Sequence, residues 1–162
     1  MVRLLQRAFA FSLAVIALSL VAATTAIAAV AGSITVTTED LGGGYTKYSI
    51  AWLSSAGGAV TENAVSLKRG HIHQVKFIPD GGGTQPTDLY DLTFVDAISG
   101  GVDFFTGIGA NLSNANRKIG VPQVGDGTTA LQRVFVEAGS YYPTIANAGN
   151  AKGGTIVLVI GP

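Results

Sequence analysis

The amino-acid sequence predicts an all-β protein, a jelly-roll-like antiparallel sandwich, on three observations. All 22 glycines lie after residue 31, in clusters. The runs between the clusters are short and rich in Val, Ile, Thr, Tyr and Phe. No stretch after residue 31 carries a helical apolar period. Glycine reaches positive φ without steric penalty, so clusters such as Gly42-Gly43-Gly44, Gly57-Gly58, Gly81-Gly82-Gly83, Gly100-Gly101 and Gly153-Gly154 mark turns. β-prone runs at this spacing are the pattern of a sandwich or barrel.

Three runs alternate clearly. Ile34 and Val36 share one face of the first. Tyr48, Ile50 and Trp52 share a face of the second, with Lys47 and Ser49 opposite. Tyr90, Leu92 and Phe94 share a face of the third, with Asp91 and Thr93 opposite. One apolar face at a period of two is what a sheet packed on one side requires. The last run, Thr155 to Ile160, is apolar on both faces and reads as a strand covered on both sides. Weaker runs lie at 60–67, 71–78, 102–106, 119–124, 131–137 and 140–146, and residues 107–117 hold room for one helical turn. About eight to ten strands are expected.

Such a strand set fits a jelly roll or an immunoglobulin-like sandwich. Long glycine-rich connections such as 79–87 favour strands that cross between sheets, hence the jelly roll. The Cys-Trp-Cys signature of immunoglobulin domains is absent.

The first 31 residues differ in kind. Arg3 and Arg7 precede an almost purely apolar stretch from Phe9 to Val21. Ala26-Ile27-Ala28 and Ala29-Val30-Ala31 each offer a small-x-small cleavage pattern. That order is the arrangement of a secretory signal. Residues 8–31 are also long enough to cross a bilayer as a helix, for which about 20 residues suffice. A start codon assigned too far upstream is the third reading. The chain therefore divides into a signal-like or anchor segment, 1–31, expected as a hydrophobic helix, and a β-sandwich domain, 32–162. Membrane contact is expected only through residues 8–31, if they are retained.

Removing residues 1–28 takes away Arg3 and Arg7, leaving eight basic residues against ten acids, a net charge of −2. That balance gives no electrostatic case for nucleic acid, which needs a concentrated basic surface. Cysteine is absent, so disulfides and thiolate chemistry are excluded.

Candidate chemistry is sparse. His71 and His73 are the only histidines. Two apart on a strand, they face one side and can reach a common metal. The pair opens like the metal motif of the cupins, but Lys76, Phe77 and Ile78 stand where a glutamate ligand is needed, and there is no third histidine. The segment from Asp80 to Asp88 places two carboxylates beside flexible carbonyls, ligands of the type calcium takes, without the spacing of the established calcium loop. Asp91, Asp96 and Asp103 can be paired as acids for hydrolysis, though Asp91 faces away from the apolar side, towards solvent, where a carboxyl is a poor general acid. There is no Gly-x-Ser-x-Gly and no phosphate-cradling glycine loop. Asn111-Leu112-Ser113 fits a glycosylation sequon. Trp52, Tyr141 and Tyr142 can form a glycan platform, but Trp52 alternates with Ile50 and belongs to the core. Because Tyr141 and Tyr142 are adjacent on a strand, one must point outward or into a partner. The inventory predicts no cofactor and no enzyme.

Two stretches resemble small virion proteins of tailed bacteriophages. One runs Pro79-Asp80-Gly81-Gly82-Gly83-Thr84-Gln85-Pro86-Thr87-Asp88-Leu89-Tyr90-Asp91-Leu92-Thr93, then Gly101-Val102-Asp103 and Gly107-Ile108-Gly109-Ala110-Asn111. The other runs Asn147-Ala148-Gly149-Asn150-Ala151-Lys152 into the apolar last strand. The resemblance spans roughly residues 33–160, in turn-heavy motifs. It implies a particle component, a head decoration or cement protein that binds capsid protein and self-associates, as a trimer by analogy, in the virion. The export-like start departs from it, because capsid parts assemble in the host cytoplasm. The alternative it leaves is an exported bacterial module, periplasmic or secreted, that binds glycans or surfaces through Tyr141 or Tyr142.

Overall fold

A computed structural model describes residues 32–61, 63–124 and 132–162. The predicted N-terminal helix and the 1–31 segment lie outside these residues.

Eleven strands follow in order. They are β1 (Ser33–Gly42), β2 (Tyr45–Leu53), β3 (Val65–Leu67), β4 (Gly70–Pro79), β5 (Asp91–Val95), β6 (Lys118–Gly120), β7 (Gln123–Val124), β8 (Gln132–Arg133), β9 (Phe135–Val136), β10 (Gly139–Ala146) and β11 (Gly153–Gly161). The described helical structure is one 3-10 turn, Gly82–Thr84. The fold is all-β and sandwich-like, with every strand pair antiparallel. The larger sheet runs β1-β2-β11-β4-β6, with β9 also on β4; a smaller sheet runs β3-β10-β5; β7 and β8 form a separate ladder.

The alternation read from the sequence places the core. Tyr48, Ile50 and Trp52 of β2 and Ile156, Leu158 and Ile160 of β11 are buried, with Ile72, Val75 and Phe77 of β4 alongside. Facing them from the smaller sheet are Val65, Leu67, Leu92, Phe94, Tyr141 and Ile145, and all belong to one apolar cluster. The hydrophobic effect thus acts on the inward face of each sheet, at about 25 cal/mol per Å² of apolar surface removed from water. β1 overhangs this core: Ile34 packs against it, but Val36 remains 36% exposed.

Three expectations are corrected. β11 was expected to be covered on both sides, yet it is buried on one: Val157 and Val159, which face away from the core, are only half-buried. Residues 102–106 form turns rather than a strand. The region 107–117 holds no helical turn, and the 3-10 turn lies at Gly82–Thr84 instead. The physical reason is visible in the backbone. Thr106, Gly107 and Asn111 sit at positive φ (51°, 82° and 50°), which a right-handed helix cannot include. Successive i+3 bonds, Thr106 N–H to Asp103 O, Ile108 N–H to Phe105 O and Ala110 N–H to Gly107 O, make a chain of turns.

That chain of turns lies tight against β5. Leu92 N–H donates to Gly109 O at 2.9 Å, and a Cβ on Gly109 would stand 1.9 Å from Leu92 O. Backbone, not a mobile side chain, blocks it. Gly109→Ala is therefore expected to lower stability by about 1–3 kcal/mol, the range for overpacking. Urea denaturation checks it, and an unchanged midpoint would refute the close approach.

Candidate functional site

Four aspartates gather in the segment from Asp88 to Asn114, and their geometry gives them structural work. Asp103 Oδ1 accepts the Phe94 and Phe105 N–H groups, both at 3.0 Å, and its Oδ2 accepts the Gly107 N–H at 3.1 Å. Asp91 Oδ1 accepts the Asn111 N–H at 2.9 Å, and its Oδ2 accepts Asn147 Nδ2 at 3.1 Å. Asp96 Oδ1 accepts the Val102 N–H, and Asp88 Oδ1 the Asn114 N–H, each at 3.1 Å. Turn backbones leave N–H groups without ladder partners, and short carboxylates satisfy them. The acids considered for hydrolysis are thereby committed to backbone donors. Asp91, expected to face solvent, is half-buried with both oxygens engaged. The sequence did carry the signal: an aspartate followed within a few residues by glycine, between β-prone runs, is turn chemistry.

His71 and His73 both face away from the core, as expected, but lean apart. The ladder between β4 and β11 slips between Val159 and Ile160, and His73 is the extra residue, without a partner of its own across the ladder. Such a bulge re-aims the side chain it carries. The His71 ring meets Phe135 of β9 edge-on at 5.1 Å. The His73 ring leans the other way, meeting Tyr45 of β2 edge-on at 5.0 Å, and its Nε2 lies 3.1 Å from Pro162 O. Tyr45 reaches over β11 because Gly161 has no Cβ: one there would stand 2.3 Å from the ring. Among the described residues, no group of three or more His, Cys, Asp or Glu side chains is placed to hold a metal ion. His71 also borders a groove of about 380 Å³ walled in part by Phe104, Val134, Phe135 and Arg133.

The Asp80–Asp88 loop is likewise filled by contacts within the chain. Asp80 N–H donates to Gly153 O at 3.1 Å, while Asp88 caps Asn114. The Gly83 carbonyl, a natural calcium ligand by type, accepts from the Lys152 ammonium at 2.9 Å.

Of the paired tyrosines, Tyr141 is buried, stacked on Phe94 at 5.7 Å, with its hydroxyl donating to Glu137 O at 2.9 Å. Burial pushes its pKa up. Tyr142 points the other way and is half-buried. A flat two-ring platform is therefore not formed at these positions. Trp52 lies in the core against Tyr90, with ring centres 5.7 Å apart.

No protein-family model, curated protein or solved structure matches the chain. Among the described residues, no helix is long and apolar enough to cross a membrane.

Tyr90 makes the stability of the fold depend on pH in the alkaline range. Burial, reinforced by the nearby Asp80 carboxylate, pushes its pKa up to about 12 from 10.0. The neutral phenol is favoured in the folded state, so its contribution is intact below pH 10 and is lost as pH rises through 12. Two units correspond to at most roughly 2–3 kcal/mol, less where water still reaches the hydroxyl. Wild type should lose that much more stability than Tyr90→Phe between pH 10 and 12. Parallel stability curves for the two proteins would contradict the assignment.

Proposed function

We propose that this chain is a non-enzymatic structural protein of a virus particle, a capsid decoration or cement protein built on a jelly roll. The observation that carries the reading is the pairing order. Apart from β1 and the separate β7–β8 ladder, the chain runs through β2, β3, β4, β5, the turn segment 103–112, β6 with β9, β10 and β11. The first of these pairs with the last, β2 with β11, and the second with the seventh, β3 with β10. The third pairs with the sixth, β4 with β6 and β9. The fourth folds on the fifth through the Val95–Asp103 and Tyr90–Leu112 bridges. That nested order is a long hairpin wound up as two Greek keys, the winding of jelly rolls in capsid proteins and lectins.

Fold alone does not assign function, and two further observations support this use. The motifs that resemble phage virion proteins coincide with the carboxylate-capped turns: Asp88, Asp91, Asp103 and Asn111 all lie in that unit. The acids with which a catalytic site would be built are occupied in holding loops. A cement protein works by adding contact area across subunit boundaries and requires no reactive group. Its partners are capsid protein and copies of itself, and its location is the virion.

Mass spectrometry of purified particles tests the proposal. The chain is expected at a fixed copy number, with an N-terminus undisturbed by signal peptidase. Its absence from particles, or a chain cut after Ala28 or Ala31, removes the reading.

A further inference from the structure

We infer that the cleft beside β9 is a binding site for a small organic anion with an aromatic body. The inference does not depend on the virion reading. Two hollows adjoin here. The first is the groove of about 380 Å³, whose lining also includes Val102 and Val124. The second, of about 370 Å³, is lined by His71, Gln132, Arg133 and Pro162. His71 and Arg133 line both, so the hollows meet at these two side chains. Small-molecule sites join an apolar wall to a few converging polar groups, at volumes of about 300–1,000 Å³. Each hollow lies at the low end of that range, so the ligand is small.

The first hollow is the apolar half. Val102 is 67% exposed, Val124 49% and Phe135 40%, three large apolar side chains left in water along one groove. Scattered singly such residues need no explanation, but grouped in a concave wall they mark a binding groove. The wall is also held in place. Phe135 lies between the His71 ring, edge-on at 5.1 Å, and the Arg69 guanidinium, 5.8 Å from its ring centre. Phe104 meets Tyr141 edge-on at 5.1 Å, and its N–H donates to Phe94 O at 2.8 Å. A wall already ordered costs little entropy on binding, and its rings suit an aromatic guest.

Charge decides what the second hollow takes. Gln132 and Arg133 bring N–H donors to it, and His71 an imidazole. Arg133 is exposed and has no ion-pair or hydrogen-bond partner among the described residues. No Asp or Glu side chain is among the described lining of this hollow. Asp103 lines the apolar groove instead, where its two oxygens accept three backbone N–H groups. Pro162 O lies 3.1 Å from His73 Nε2. A guanidinium with its fork unspent favours an oxyanion over a neutral acceptor. The anionic head therefore belongs on Arg133, and the aromatic body in the groove.

Fluorescence titration of the purified chain, with the N-terminus its host leaves, decides the matter. The probes are anilinonaphthalene sulfonate and phenylnaphthylamine, the same aromatic body with and without an anionic group. Wild type is expected to bind the sulfonate saturably and more tightly than the neutral probe. Arg133→Gln should weaken the sulfonate at least ~10-fold, the loss of one charge-assisted hydrogen bond, and leave the neutral probe unchanged. Phe135→Ala should weaken both at least ~3-fold. Arg133 is exposed, so its variant keeps the β spectrum and decides if Phe135→Ala fails to fold. No saturable binding of the sulfonate would overturn the inference. So would a folded Arg133→Gln that binds it as wild type does, or that loses both probes equally.

Discussion

Phe94→Ala is expected to remove about 3–5 kcal/mol, the range for truncating a buried phenylalanine. Phe94 has no exposed surface and is sandwiched between two rings. Phe105 stacks on it at 5.1 Å with planes 17° apart, and Tyr141 at 5.7 Å with planes 5° apart. Phe105 in turn meets Phe77 of the opposite sheet edge-on at 5.4 Å. Phe94 therefore links both layers, and its loss opens a cavity that neither backbone can close. The stacked pairs add about 0.5–1.5 kcal/mol each beyond area burial. Phe94→Leu, which keeps most of the volume, should cost clearly less. Urea unfolding of the three proteins gives the ranking; a Phe94→Ala loss near that of a surface substitution would show that the stack is not a keystone.

Asp103→Ala carries the second-largest expected effect, about 3 kcal/mol. One carboxylate accepts three backbone N–H groups, and hydrogen bonds to a charged acceptor contribute roughly 1.5–3 kcal/mol each when buried, less where water can replace them. The half-buried position of Asp103 puts the total towards the lower end. The distribution of the bonds sharpens the test. Oδ1 takes two and Oδ2 one. Asp103→Asn keeps a carbonyl oxygen for the first two, so it should retain more than half of the lost stability. Equal losses in the Ala and Asn variants would mean that charge, not the accepted bonds, matters here.

The sequence revealed the sheets better than the connections. Inward positions such as Ile50, Trp52, Leu92 and Phe94 alternate strictly, and alternation has one physical cause, burial of one face. The outer side of β11 was misjudged because apolar composition at Val157 and Val159 cannot say who supplies the cover. The segment 102–106 was misjudged because Val102, Phe104 and Phe105 have strand-like composition. The bonds to Asp103 from Phe105 and Gly107 are local turn bonds, but the one from Phe94, and the docking of Gly109 on Leu92, depend on where β5 lies, and that is not a local property. His71 and His73 were correctly placed on one side of a strand, but the slip that turns them apart comes from register with β11. Tyr141 and Tyr142 were separable by strand geometry, though not which of them faced in.

The turns pinned by Asp103, Asp91 and Asp96 also close one flank of the smaller sheet. Where a regular strand would present a row of alternating donors and acceptors, this flank presents a coil whose N–H groups are already spent on carboxylates and on nearby backbone carbonyls. A neighbouring chain finds no template there for extending the sheet. The protein can thus be crowded at high local density without fusing along that side, and among the described strands the longest edge left for stray strand addition is the ten-residue border at Ser33–Gly42.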